Sequence, residues 1–326
     1  MKINASHGSG GRDTAWLVRE IFEKSYGNKV LACMEDAAVL SVTGEVAFTT
    51  DSFVVQPLFF PGGDIGRLAV CGTVNDLLTA GSAPKYLTAS FILEEGLETD
   101  TLKRVADSMA QTAAEAGVTI VAGDTKVVEG NGGMFINTAG IGFITGRPLR
   151  SADIQTGDAI VLTGTLGDHH ACILSRRMEI ENPIQSDAAP LCEIVQALQS
   201  NGIEIHAMRD ITRGGLATVL NELAAACGCR AELWEKSLPV SEAVAGLCGV
   251  LGLDPLYMGN EGKMLIVLPW EQYEKALKVI QTARYGENAV LVGKFEEGKP
   301  GVVLKTKIGG ARTVAPLIGE GLPRIC

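Results

Sequence analysis

Residues 210–216, Asp210-Ile211-Thr212-Arg213-Gly214-Gly215-Leu216, place a carboxylate, a hydroxyl, a cation and two glycines directly before an apolar helical pattern over 216–227. The run 203–208 ahead of them reads as a strand. A strand leading through a carboxylate and glycines into a helix is a turn of an α/β chain. The N-terminus of such a helix offers unpaired N–H groups to an anion.

Working outward, the second half reads as strands at 158–163, 263–268, 288–294 and 301–306. Helices are expected at 168–177, 190–200 and 270–283. The first half reads as strands at 46–55, 86–93, 118–122 and 134–145. Its helices are expected at 13–25, from the cap Asp64 to Gly81, and at 99–117. Arg147-Pro148 breaks the pattern. The expected division is therefore 1–150, 151–307 and a tail, 308–326, rich in glycine and proline and without helical or strand period. Both halves mix α and β without a strict βαβα order.

The 326 residues suit roughly two domains. Lys+Arg number 28 against 38 Asp+Glu, a net charge of −10 with no basic run, which argues against nucleic acid and anionic membranes as partners. No apolar run reaches the ~18 residues of a membrane span, and the N-terminus lacks a signal-peptide core, so a cytoplasmic location is expected. The eight cysteines read as free thiols; the close pair Cys227 and Cys229 reads as small apolar side chains rather than zinc ligands.

Five acidic sites recur at predicted strand ends and turns: Glu35-Asp36, Asp51, Asp76 after Asn75, Asp124 and Asp210. Hard divalent cations want carboxylate oxygens with phosphate and water. The glycine-rich run His7-Gly8-Ser9-Gly10-Gly11 before a helix can cradle phosphate. Gly123-Asp124-Thr125-Lys126 gathers a carboxylate, a hydroxyl and a cation in an expected turn. Lys126 can neutralise a phosphate or remove a proton. Glu261, in Asn260-Glu261-Gly262, can act as a general base if partly buried. His169-His170 suits a cap or the surface, and His206 a buried, satisfied imidazole. Arg324 and Cys326 sit in an apolar ending, Leu322-Pro323-Arg324-Ile325-Cys326, which reads either as a frayed terminus or as a nucleophile that docks into a site.

Glu-Asp-Ala-Ala-Val (35–39), Thr-Thr-Asp-Ser (49–52), Asn-Asp (75–76), Gly-Asp-Thr-Lys (123–126) and Asp-Ile-Thr-Arg-Gly-Gly (210–215) together resemble the AIR-synthase-like, or PurM-like, ATP-binding superfamily. Within it, His-Gly-Ser-Gly-Gly (7–11), Asn-Glu-Gly (260–262) and the terminal Pro-Arg-Ile-Cys (323–326) resemble the HypE family of hydrogenase maturation factors. The resemblance covers essentially the whole chain. It implies an α/β (α+β) PurM-like two-domain fold. The N-terminal domains of a homodimer form a barrel-like core, the C-terminal domain is an α/β sandwich, and the tail is mobile. It implies ATP and Mg²⁺ between the domains, with Asp36, Asp76 and Asp210 as metal ligands. His7, Gly8, Gly10, Gly11, Asp51, Asn75 and Asp124 would hold nucleotide and metal, with Cys326, Lys126 and Glu261 catalytic. The implied activity is ATP-dependent dehydration of an S-carbamoyl group on Cys326 to a thiocyanate, for the cyanide ligands of [NiFe]-hydrogenase. HypF would supply the carbamoyl group and a HypC–HypD scaffold receive the product. Two rivals are a small-molecule synthetase or kinase of the superfamily and a non-catalytic scaffold. The loop at 7–11 lacks the cysteine typical of selenophosphate synthetase, and a scaffold has no need of metal-type carboxylates.

Overall fold

A computed structural model of the chain describes residues 1–8, 12–33, 38, 40–144 and 146–317. A helical run opens it: α1 (Arg12–Leu17) continues through π-turns at Val18–Glu23 into α2 (Lys24–Tyr26). Strand β1 (Val46–Phe53), the small hairpin β2 (Phe59–Phe60) and β3 (Gly63–Asp64), and helix α3 (Ile65–Thr79) follow. The Asp64 side chain accepts from the N–H groups of Gly66 and Arg67, so the expected cap starts α3. Then come β4 (Ser82–Glu94), α4 (Thr99–Ala116), β5 (Thr119–Val128) and β6 (Met134–Ile144). These strands form a sheet in the order β1-β6-β4-β5, antiparallel except for the parallel pair β4–β5. Helix α3 packs along β6 and β1, and α4 lies on α3. One face of the sheet therefore looks into a core, and the other is open.

The second sheet is larger, in the order β13-β12-β9-β11-β7-β10-β8. It contains β7 (Ala159–Leu162), β8 (Ala207–Asp210), β9 (Arg230–Trp234), β10 (Met264–Leu268), β11 (Val290–Glu296), β12 (Gly301–Lys305) and β13 (Ala311–Val314). Every residue of β7 and β10 is buried, as expected of central strands covered on both faces. Its helices are α5 (Asp168–Arg177), α6 (Cys192–Ser200), α7 (Gly215–Cys227), α8 (Glu242–Leu251) and α9 (Tyr273–Thr282).

Several elements differ from the sequence reading. Helix α8 and strand β9 lie where no element was assigned. Strand β13 falls inside the expected tail and pairs antiparallel with β12. The short stretch 311–314 has little periodicity of its own, and pairing supplies the order. Strand β8 starts at Ala207 rather than 203, because 203–206 is irregular.

Candidate active site

The turn 210–216 sits at the end of β8, with Asp210 opposite Met264 of β10. Gly214 (φ +80°) and Gly215 (φ +62°) are left-handed, and a Cβ on Gly215 would meet the Leu256 carbonyl oxygen at 2.5 Å. Only glycine allows helix α7 to start there. Asn260, fully buried, staples this turn. Its amide donates to the Ile211 oxygen at 3.1 Å, and its Oδ1 accepts from Gly167 N–H at 2.7 Å. The next residue, Glu261, is thereby held beside Asp210.

From the first sheet, Asp51 of β1 faces α3, near Gly72. Asp76, in the last turns of α3, accepts a hydrogen bond from the Thr49 hydroxyl at 3.0 Å. These groups feel one another. Burial, with Asp76 and Asp51 adding to it, pushes Asp210 up to about 7. Burial raises Asp76 as well, with Asp51 adding to it and the Thr49 hydrogen bond opposing it. Glu261 is raised well above the usual range by burial, then by Asp187, Asp210 and Asp51, with Arg213 opposing. Carboxyl groups thus crowd between the two sheets, and a cation with phosphate oxygens would favour their charged forms. No three ligating side chains among the described residues converge closely enough to cage an ion by themselves. One or two carboxylates completed by phosphate and water is the arrangement Mg²⁺ favours.

Asp124 and Lys126 lie elsewhere. The expected turn 123–126 is the interior of β5, paired with Ala89–Ile92 of β4. There Asp124 and Lys126 point to the open face of the sheet, away from α3. Both are more than half exposed and pair with each other at 2.9 Å. The structure therefore does not bring them to the cluster of Asp51, Asp76, Asp210 and Glu261 within one chain. Alternation along a strand puts Thr125 inside and its neighbours outside, which a turn assignment could not foresee.

His7 is buried in the turn Ala5–Gly8, 2.9 Å from Asn4 Oδ1 and edge-on to Trp16. The Asn75 side chain is engaged by protein. Its Nδ2 donates to the Ala189 oxygen (3.0 Å) and the Glu261 oxygen (3.4 Å), and its Oδ1 accepts from Leu191 N–H (3.0 Å). Ser9, Gly10, Gly11, Glu35, Asp36, Arg324 and Cys326 lie outside the described residues. His169 and His170 are buried in α5 rather than capping or superficial, and desolvation pushes them down to about 3 and about 4. His206 is the buried, satisfied imidazole expected, 2.7 Å from Asp158. Cys71, Cys172, Cys192, Cys227, Cys229 and Cys248 are free thiols. Sequence reading missed Asp187, which accepts the Glu261 N–H at 2.9 Å; it lies in an irregular segment without a motif.

The fold is that of AIR-synthase-related proteins. The model of their N-terminal domain matches residues 34–144, and that of their C-terminal domain matches residues 155–305. The chain belongs to the HypE family, the carbamoyl dehydratases of hydrogenase maturation. It is 45% identical to carbamoyl dehydratase HypE of Escherichia coli, over 99% of each chain. It is 43% identical to that of Rhodobacter capsulatus, over 100% of this chain and 98% of the relative. The crystal structure of hydrogenase maturation protein HypE in complex with ATP superposes with a TM-score of 0.95, at 45% identity over 99% of each chain. A HypE–HypF complex matches with a TM-score of 0.81, at 43% identity over 92% of this chain and 99% of that one. Thiamine monophosphate kinase from Aquifex aeolicus, 23% identical, shares the fold (TM-score 0.65, 85% of this chain and 91% of that one). No helix among the described residues is long and apolar enough to cross a membrane.

Proposed function

We propose that this chain uses ATP to dehydrate a carbamoyl group carried on its own Cys326. The observation that carries the reading is the convergence of Asp51, Asp76, Asp210 and Glu261 between the two sheets, where phosphate and a divalent cation find their charge complement. The carbamoyl oxygen is a poor leaving group. Phosphorylated by ATP it leaves as phosphate, and loss of both N–H protons leaves C≡N on sulfur. Mg²⁺, when bound, neutralises the transferring phosphoryl charge. Asp76 and Asp210 are its ligands in this reading, with Asp36 completing the set. Asp51 and Asp124 assist in holding metal and nucleotide, and the loop His7–Gly11 covers the phosphates. Glu261 and Lys126 handle the protons. Water must be kept from the phosphorylated intermediate, which would otherwise hydrolyse, and the Gly-rich loop and tail segments suit that need in this reading.

The open face of the first sheet supports a homodimer. Phe48 is 70% exposed there, with Val46, Ile92 and Val128 also exposed on the same four strands. Large apolar side chains exposed on one face of a sheet favour an interface. Asp124 and Lys126 stand on that face, so a second copy is what they would touch, and in this reading Lys126 serves the cluster of the partner. HypF supplies the carbamoyl group, as the HypE–HypF complex of relatives suggests, and a HypC–HypD scaffold accepts the cyano group. The setting is the cytoplasm.

The test is the intact mass of the protein after incubation with HypF, carbamoyl phosphate and ATP. An added carbamoyl group that then loses one water, mapped to the peptide of Cys326, is the expected result. Modification at any other cysteine, with Cys326 untouched, overturns it.

A further inference from the structure

Between α5 and α6 the chain runs without regular structure, yet Ile184, Ser186 and Ala188–Leu191 are buried. A buried irregular segment must satisfy its polar groups case by case, and this one does so with partners from both halves of the molecule. Ser186 N–H donates to the Pro61 oxygen at 2.8 Å. Arg67 Nε donates to the Ala188 oxygen at 2.7 Å, and Asn75 clasps Ala189 and Leu191. In the middle stands Asp187, whose Oδ1 accepts the Glu261 N–H at 2.9 Å.

Asp187 Oδ2 is different. It is buried and has no hydrogen-bond partner; the nearest cation, Lys263 Nζ, is 3.7 Å away. A neutral Ser or Asn oxygen would also accept one N–H, without the cost of burying a charge, but it would not attract Lys263, which lies in the same turn as Glu261. The backbone closes around the same point. A Cβ on Gly262 would meet the Asp187 carbonyl oxygen at 1.9 Å, so residue 262 can be nothing larger while the segment stays in place. Glu261 is therefore gripped by the Asp187 carboxylate at its N–H, by the Asp187 carbonyl packed on Gly262, and by Asn75 at its own carbonyl.

We infer that Asp187 is a positioning residue for dehydration: its carboxylate fixes the turn 260–263 so that the Glu261 side chain meets the carbamoyl group in one orientation. Asp187 touches neither nucleotide nor carbamoyl group; it acts through Glu261. The inference rests on the reading of Glu261 as a proton-transfer group. A misplacement of an acid–base group by an ångström costs on the order of 10²-fold in rate.

The experiment is a double-mutant cycle on the full chain, pre-carbamoylated by HypF. Single-turnover dehydration and the Kd for ATP are measured for wild type, Asp187→Asn, Asp187→Ser, Glu261→Gln and Asp187→Asn/Glu261→Gln. Asp187→Asn is expected to slow dehydration at least tenfold with the ATP Kd within twofold of wild type, and Asp187→Ser, which keeps an acceptor but no charge, to slow it as well. In the Glu261→Gln background, Asp187→Asn should add less than threefold, because the group it positions is already gone. A full additional loss in that background, or a wild-type rate for both Asp187 variants while Glu261→Gln is slow, overturns the inference and leaves the reading of Glu261 standing. A wild-type rate for Glu261→Gln overturns that reading and this inference with it. Variants that fold with weakened ATP binding but unchanged dehydration at saturation reduce Asp187 to a structural part of the segment, which also overturns the inference.

Discussion

With burial and Asp76 holding Asp210 up to about 7, the folded protein keeps a proton there that an unfolded chain, with a carboxylate near 3.9, releases at about pH 4. Between those values the folded state binds more protons, so its stability falls as pH rises from about 4 to about 7. Thermal unfolding of the ligand-free protein at pH 5, 6 and 7 should show the fall, and Asp210→Asn should flatten it. A metal must displace that proton, so affinity for Mg²⁺ with ATP should climb over the same range and level off above it. Calorimetry checks this, and Asp76→Asn or Asp210→Asn should weaken nucleotide binding, which EDTA should abolish in wild type. Glu261→Ala and Lys126→Ala should still take up carbamoyl and then dehydrate it about 10²–10⁴-fold more slowly, the usual loss for a positioned acid–base group. Single-turnover thiocyanate formation reads it.

Helix α3 carries much of the site, and its start was legible because a cap leaves a local trace. Asp64 at the N-terminus supplies both hydrogen bonds seen there. Asp64→Ala should cost about 0.5–2 kcal/mol in urea unfolding. Long amphipathic helices such as α4, and buried apolar strands such as β10, could likewise be read from period and run length. Strand β5 could not be bounded. Its glycine, carboxylate and lysine at 123–126 look like a turn, and only pairing with β4 makes them strand. Helix α8 opens behind a Ser241 cap but is rich in glycine and small residues, so its period is faint. At the site, Asp51, Asp76, Asp210 and Glu261 could be named from their motifs. The face on which Asp124 and Lys126 stand could not, since one residue of register reverses it. Asp187 has no motif, because its role comes from a contact across 74 residues of sequence.

At the scale of the whole molecule, the open sheet decides the assembly. Phe48→Glu puts a charge on its open face, at the edge strand β1, and should convert the proposed dimer to monomer by light scattering. Dehydration should be lost with the dimer if Lys126 works across the boundary. Mixing the Lys126→Ala and Glu261→Gln proteins offers a sharper readout. Subunit exchange creates heterodimers with one intact pairing of Lys126 and Glu261, and activity should reappear from two inactive preparations. No recovery after demonstrated exchange would return both residues to the same chain. Cys326→Ala should keep fold and ATP binding while losing every carbamoyl-dependent step.

Arg67 joins α3 to the Ala188 oxygen, to Glu115 of α4 and to the Tyr285 hydroxyl, while Arg284 reaches Glu115 at 3.1 Å. The two halves are thus sewn together on the side away from the open sheet. A molecule sewn this way should melt as a single cooperative unit rather than one lobe at a time. Its calorimetric and van't Hoff enthalpies should agree, and amides of α3 and α6 should exchange only through global opening. Cutting the thread with Arg67→Ala should split the endotherm in two, leaving a partly melted form in which the catalytic cleft is the first part to come apart.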